Sequence, residues 1–233
     1  IDPGALKRLL AAFSDPKIGL ASGRDRSVTN VDAPANAGEA GYVGYEMTIR
    51  DLETRVSGII GASGCFYAIR SHLHRLPLPE SLSRDFAAAL HTREHGYRAV
   101  SVSEALCNVP RTPSLKKEYR RKVRTITRGM ATLWHKRALL NPFRFGAFAW
   151  MLVSHKIFRW ALPWAALAAW VSLGVLAPQF LWAAVIFGLA SAGLVLGIVG
   201  WIIADRERVP ALLRVPAYIL AGNVAAAHAF IRA

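Results

Sequence analysis

Apolar and polar positions change period several times along the chain. Leu6, Leu9, Leu10 and Phe13 fall on one helical face, Asp2 can cap, and Pro3 suits a first turn, so a helix is expected over residues 3–13. Asp15-Pro16 ends it. Residues 17–22 are a short apolar run stopping at Gly23, a strand pattern. Residues 31–41 read as a loop by composition. Helical period returns over 42–60, with Tyr45, Ile49, Leu52 and Val56 on one face. Gly61-Ala62-Ser63-Gly64 is a small-residue turn. Residues 65–69 read as a buried strand and 84–95 as a helix closed by Gly96. Residues 97–102 read as a strand, with another over 104–109. Alternation at this spacing implies a layered α/β domain over residues 1–110.

The second half is patterned differently. Residues 113–137 predict a helix with Lys116, Lys117, Arg120, Arg121, Arg124 and Arg128 crowding it. Tyr119, Val123, Ile126, Met130 and Leu133 lie on its other side, a pattern suited to the membrane–water interface. Asn141-Pro142 breaks it, and residues 143–160 read as an interfacial or re-entrant helix. From Trp160 to Ala204 there are 45 residues without a charge. A span takes about 20 apolar residues. Two spans are therefore expected, over 161–177 and 180–203, with the hairpin at Ala177-Pro178-Gln179. A third, weaker candidate over 215–231 contains Asn223 and His228. Seven tryptophans cluster in and around these segments, as in an aromatic belt.

Charge sharpens this division. The net charge of the 233 residues is +14. Residues 1–110 are neutral, 111–160 carry +12 and 161–233 carry +2. The uncharged run excludes an ordinary soluble enzyme, and a basic band beside it reads as a cytoplasmic flank or lipid contact before it reads as a nucleic-acid patch. No nucleic-acid partner is expected. Arg206, Arg208 and Arg214 follow the second span while the hairpin has no cation, which puts the basic band and residues 1–110 in the cytoplasm. The expectation is a multi-pass protein of the plasma (inner) membrane. Cys65 and Cys107 form neither a metal spacing nor a disulfide framework. The N-terminus has no signal-peptide pattern and no initiator Met, so the chain reads as the latter part of something longer.

Four ordered segments carry a family resemblance. They are residues 1–23; Gly61-Ala-Ser-Gly64-Cys-Phe-Tyr-Ala-Ile-Arg70; Ser83-Arg84-Asp85 ten residues before His95-Gly96-Tyr97-Arg98; and Glu118-Tyr-Arg-Arg-Lys-Val-Arg124-Thr125 with Leu140-Asn-Pro142 and Ser154-His-Lys156 through Arg159-Trp160. In this order before a membrane hairpin, they resemble the C-terminal portion of a membrane-bound family 2 glycosyltransferase. That group contains the cellulose, hyaluronan, chitin and poly-N-acetylglucosamine synthases.

The resemblance implies a partial GT-A-type, Rossmann-like domain, then a basic interfacial stretch over 111–160 and two or three transmembrane helices over 161–233. It implies inverting transfer from a nucleotide-diphosphate sugar to a glycan or lipid-linked acceptor, in exopolysaccharide or cell-envelope glycan synthesis. Asp85 is the implied catalytic base; its other reading is a helix N-terminal carboxylate favoured by the dipole. Gly61, Ser63 and Gly64 are implied at the acceptor, or they form a strand-entry turn. Arg121 and Arg124 are implied at the diphosphate, or they are surface cations. Thr125 stands where processive members carry a stacking Trp, which favours single transfer or a short product. A divalent cation (Mg or Mn) is implied for a full-length enzyme, but the sequence contains no Asp-x-Asp to hold it. The expectation is that this chain alone lacks the donor and metal half and is inactive. The alternative is a non-catalytic truncated membrane homologue binding anionic lipid or a partner protein. Asp51 and Glu53 are expected on a solvated helix face, His72 and His74 in a basic loop, and His155 at the interface.

Overall fold

The computed structural model describes residues 1–28, 36–110, 115–203 and 210–233. The chain is mixed α/β, mostly helical, with one small sheet, and it divides into two compact units. The first comprises Ile1–Asn30, Glu39–Arg111 and Arg128–Lys156; the second comprises Val31–Gly38, Thr112–Thr127 and Ile157–Ala233.

In the first unit, β1 (Ile18–Val28) is the central strand. It pairs antiparallel with β2 (Tyr67–Ile69), with Ser22 opposite Tyr67. On its other side it pairs parallel with β3 (Arg98–Pro110). The two expected strands over 97–102 and 104–109 are one strand. Between them the register jumps, Gly23 pairing with Val102 and Arg24 with Leu106. The polar residues Ser103 and Glu104, which break the apolar pattern, lie in this irregularity. Gly23 makes it possible. A Cβ there would sit 2.5 Å from Phe66 Cδ1 and 2.7 Å from the Ala105 carbonyl.

Helix α1 (Ala5–Ala11) buries Ala5 and Leu9 against Ala21, Val100 and Ala105. Asp2 does not cap it through its side chain, which accepts a hydrogen bond from Asn108 Nδ2 at 3.1 Å instead. Helix α2 runs Asn36–Val56, so residues 36–41 are helical where a loop was expected over 31–41; residues 29–35 lie outside the described residues. The short helix α3 (Ser71–His74) carries His72 and His74 in place of the expected loop. Helix α4 (Arg84–Glu94) lays its alanines against Leu20, Ile59 and Ala99. It ends as expected, with Gly96 at φ 84° and the Tyr97 N–H donating back to the Thr92 carbonyl at 3.1 Å.

Helix α5 (Leu115–His135) divides between the units. Part of its apolar face packs on protein. In the second unit Val123 is buried with Ala225 and Ala229, and Tyr119 and Ile126 pack on them. In the first, Thr132 and Leu133 are buried. Asn141 caps α6 (Pro142–Phe145) through its side chain. The segment expected as an interfacial or re-entrant helix over 143–160 falls mostly within a longer helix. Helix α7 (Ala147–Leu152), the π turn Val153–Phe158 and α8 (Arg159–Leu176) form one 30-residue helix, Ala147–Leu176.

That helix and α9 (Leu181–Ile202) are the two among the described residues long and apolar enough to cross a membrane. The third candidate is a helix, α10 (Ala211–Arg232), but its Arg214, Asn223 and His228 keep it from the same apolarity. It packs closely on α9 through small residues. Ala217 and Ala221 are buried beside Trp201, and a Cβ on Gly200 would lie 2.5 Å from the Leu213 carbonyl.

Candidate functional site at the glycine turn

The turn Gly61–Gly64 connects the end of α2 to β2, and serines pin it. Ser22 Oγ on β1 accepts from the Ser63 N–H at 2.7 Å. Ser63 is fully buried, and its hydroxyl donates to Asp25 Oδ1 at 2.6 Å. Ser63 Oγ also accepts the N–H groups of Cys65 at 3.1 Å and Phe66 at 3.2 Å. Ser63 therefore shapes the turn from within, and Gly64 is its exposed face. Arg70, at the end of the same motif, is committed to carbonyls, with Nε to Ile18 at 2.7 Å and Nη2 to Phe13 and Asp15 at 3.1 Å each.

Asp85 sits in the first turn of α4, where the helix dipole favours a carboxylate. Its Oδ1 accepts from the Ser83 hydroxyl at 2.8 Å, which fixes the rotamer. The Ser83 N–H in turn donates to the buried Thr132 Oγ1 of α5 at 3.0 Å. The other oxygen, Oδ2, faces Gly64, 3.3 Å from where a Cβ would be. The Asp85 carbonyl also accepts from the Ala62 N–H at 3.4 Å. Tyr67 stands close enough to feel this charge. Burial first, then the Asp85 carboxylate, raise its phenol above the ordinary value, partly offset by Arg84. One carboxylate oxygen is thus held by Ser83 and the other packs close to the side-chain-free backbone of Gly64.

Sequence reasoning did not find what borders this turn. Glu53, expected on a solvated face, is 3 % exposed. Its Oε2 accepts the Ile60 N–H at 3.2 Å, and its Oε1 lies 2.6 Å from His155 Nδ1. Asp51 is likewise engaged, with Arg24 at 3.2 Å and the Ser103 hydroxyl at 3.0 Å. Both carboxylates follow the helical period, but the strand and helix covering that face come from distant sequence, so local spacing carried no signal. Gly61 lies against Phe86, 3.7 Å from its would-be Cβ to Cδ2.

Arg121 and Arg124 belong to the second unit. Arg121 forms a bidentate pair with Glu118, both contacts 2.8 Å, and Arg124 is exposed. The structure brings Gly61, Ser63, Gly64 and Asp85 together within the first unit.

A second polar cluster joins α4 to the end of α5. The Lys136 ammonium is buried, hydrogen-bonded to Glu94 Oε2 and 3.3 Å from His91 Nδ1. His91, Glu94 and His95 have potential ligand atoms within 4.8 Å of one another. Lys136 already supplies the positive charge there, so these residues do not fit the divalent cation implied by the resemblance. Burial, then Lys136 and His95, push His91 below its ordinary value against the pull of Glu94. Burial pushes Glu94 up, but hydrogen bonding and charge from Lys136 outweigh it, with His91 and His95 adding, so its carboxyl ends below the ordinary value.

No protein-family model matches the chain, and no curated protein matches it.

Proposed function

We propose that the chain is the acceptor-side and membrane-anchoring portion of an inverting family 2 glycosyltransferase, its sheet part of a GT-A-type domain. An acceptor hydroxyl approaches Asp85 Oδ2 alongside Gly64, whose missing side chain leaves that edge of the carboxylate uncovered. Asp85 Oδ2 takes the hydroxyl proton as the oxygen attacks the anomeric carbon of a nucleotide-diphosphate sugar. The bond from that carbon to the diphosphate oxygen breaks, its electron pair leaves on the diphosphate, and the configuration inverts. The acceptor is a glycan or a lipid-linked sugar, consistent with chemistry beside a membrane. Helix 147–176 and α9 anchor the protein in the inner membrane, with the catalytic part cytoplasmic by the Lys/Arg bias. The exposed Arg120, Arg124 and Arg128 meet anionic headgroups.

One observation carries this reading: Asp85 and Gly64, in two motifs 21 residues apart, face each other with 3.3 Å between Oδ2 and the position of an absent Cβ. The test is sugar transfer by membranes from cells expressing the full reading frame, supplied with labelled nucleotide-diphosphate sugars. Asp85→Asn should lower transfer by about 100-fold or more. Undiminished transfer removes the base assignment.

The bidentate Arg121–Glu118 pair favours a second reading, a non-catalytic membrane homologue, because a diphosphate would have to displace Glu118. Absence of transfer with every sugar tested, together with tight binding to anionic vesicles, would select it.

A further inference from the structure

The start of α4 is wired in an unusual way. Ser83 occupies the N-cap, where a serine hydroxyl ordinarily accepts a backbone N–H from the first turn. Its side chain makes no such bond. The hydroxyl donates instead to Asp85 Oδ1 at 2.8 Å. The Ser83 N–H is diverted as well. In a capping box a Glu or Gln three residues on would accept it, but that position is Phe86. Its acceptor is Thr132 Oγ1 on α5, 49 residues further along the chain, at 3.0 Å. Thr132 is fully buried and donates its own proton to the Arg128 carbonyl, one turn back, at 2.7 Å.

These bonds have a fixed direction. The Thr132 proton is committed to its own helix, so its oxygen meets Ser83 as an acceptor. That contact holds the Ser83 backbone, and the serine hydroxyl then aims its proton at Asp85 Oδ1. Oδ2 is left as the oxygen turned toward Gly64. Helix stability alone would be served by the ordinary cap, which this serine forgoes. Thr54 gives a comparison within the same unit. Its hydroxyl also donates one turn back, to the Arg50 carbonyl at 2.8 Å, and also accepts a distant backbone N–H, that of Ser101 at 2.9 Å. At Thr54 the pattern joins two stretches of backbone. At Thr132 it continues through a side chain to a carboxylate.

We infer that Thr132 and Ser83 are positioning residues for Asp85: Thr132 fixes Ser83, and Ser83 orients the carboxylate so that Oδ2, and not Oδ1, meets the acceptor hydroxyl. The role rests on the transferase reading of Asp85. A general base must stand within hydrogen-bond reach of the proton it takes, and a small misplacement is costly. The residue that sets the base therefore belongs to α5, outside the motif that carries the base.

The test measures kcat and KM for sugar transfer by the full reading frame, at a temperature well below the Tm of every variant. Thr132→Val keeps the side-chain shape and removes the acceptor. It should lower kcat about tenfold with the KM values unchanged. Thr132→Ser keeps the hydroxyl and should retain most of the rate. Ser83→Ala should lower kcat at least as much as Thr132→Val, and combining the two should cost nothing more, because the chain of bonds is already cut. Neither should lower the residual transfer of Asp85→Asn. Thr54→Val breaks the matching pair of bonds and should lower Tm without lowering kcat. Should Thr132→Val fail to fold, Ser83→Ala decides by the same readings. An unchanged kcat in Thr132→Val or Ser83→Ala, or an equal loss in Thr132→Ser or Thr54→Val, overturns the inference. Absence of transfer by wild type with every sugar removes the transferase reading. The carbon-13 carboxyl resonance of Asp85, assigned by its loss in Asp85→Asn, then judges the positioning by itself. It should move in Thr132→Val and Ser83→Ala and stay in place in Thr132→Ser and Thr54→Val. An unmoved resonance in Thr132→Val overturns the positioning too.

Discussion

Glu53 and His155, 102 residues apart in the chain, meet at 2.6 Å with Glu53 almost wholly buried. The carboxylate joins the end of α2, the entry to the glycine turn and the π turn. Glu53→Ala would leave the Ile60 N–H and His155 without their acceptor. Stranding a buried donor costs about 1–3 kcal/mol. Thermal denaturation of the purified protein should show a Tm lower by several degrees, with Glu53→Gln intermediate.

The Gly64–Asp85 approach predicts a separation of stability from activity. Gly64→Val places a side chain against Asp85, its Cβ 3.3 Å from Oδ2. Gly64 is exposed, so the fold should survive. Sugar transfer should fall at least about tenfold with little change in Tm. Full activity in this variant would mean that the acceptor does not reach Asp85 past Gly64.

Ser63→Ala predicts the opposite pattern. It removes the donor to Asp25 and the acceptor for two backbone N–H groups, all in a fully buried turn. A loss of about 2 kcal/mol is expected, read as a lower denaturation midpoint. Because the turn carries Gly64, activity should fall with it.

The His91–Glu94–Lys136 cluster predicts acid sensitivity. His91 is pushed below its ordinary value, so the unfolded chain binds its proton more readily and stability falls as pH drops below about 6.5. Glu94 is also held below its ordinary value, chiefly by Lys136 against the effect of burial, so its contribution is present above about 4.3 and disappears as pH falls through its lower folded value. Both act in one direction. The Tm should decline from pH 7 to pH 5, and His91→Gln should shrink that decline.

In the second unit, Gly200→Ala should loosen α9 from α10, because the new methyl would meet the Leu213 carbonyl backbone at 2.5 Å. Overpacking of this kind costs about 1–3 kcal/mol. The expected reading is a lower Tm in detergent, unchanged by the equivalent substitution at Gly188, where a Cβ meets nothing within 4 Å.

Much of the architecture was legible because it depends on local physics. A run of 45 uncharged residues is long enough for two membrane-length helices, and α9 lies within a residue or two of its expected limits. The C-cap at Gly96 and the break at Asn141-Pro142 are short-range steric effects and fell where expected. Gly61–Gly64 and Asp85 could be singled out as ordered motifs before any contact was known.

The remainder was decided by contacts that sequence spacing does not encode. Glu53 and Asp51 look solvated by period, and they are covered because His155, Arg24 and Ser103 arrive from elsewhere. The basic helix α5 has the pattern of an interfacial helix, yet Ala225 and Ala229 cover its apolar face, since an apolar stripe is satisfied equally by lipid and by protein. Periodicity states that a face must be buried; only the tertiary structure says against what. For the same reason the sequence could nominate Asp85 as a carboxylate of interest, but only the fold set its Oδ2 against Gly64 and tied Ser83 to Thr132 of α5.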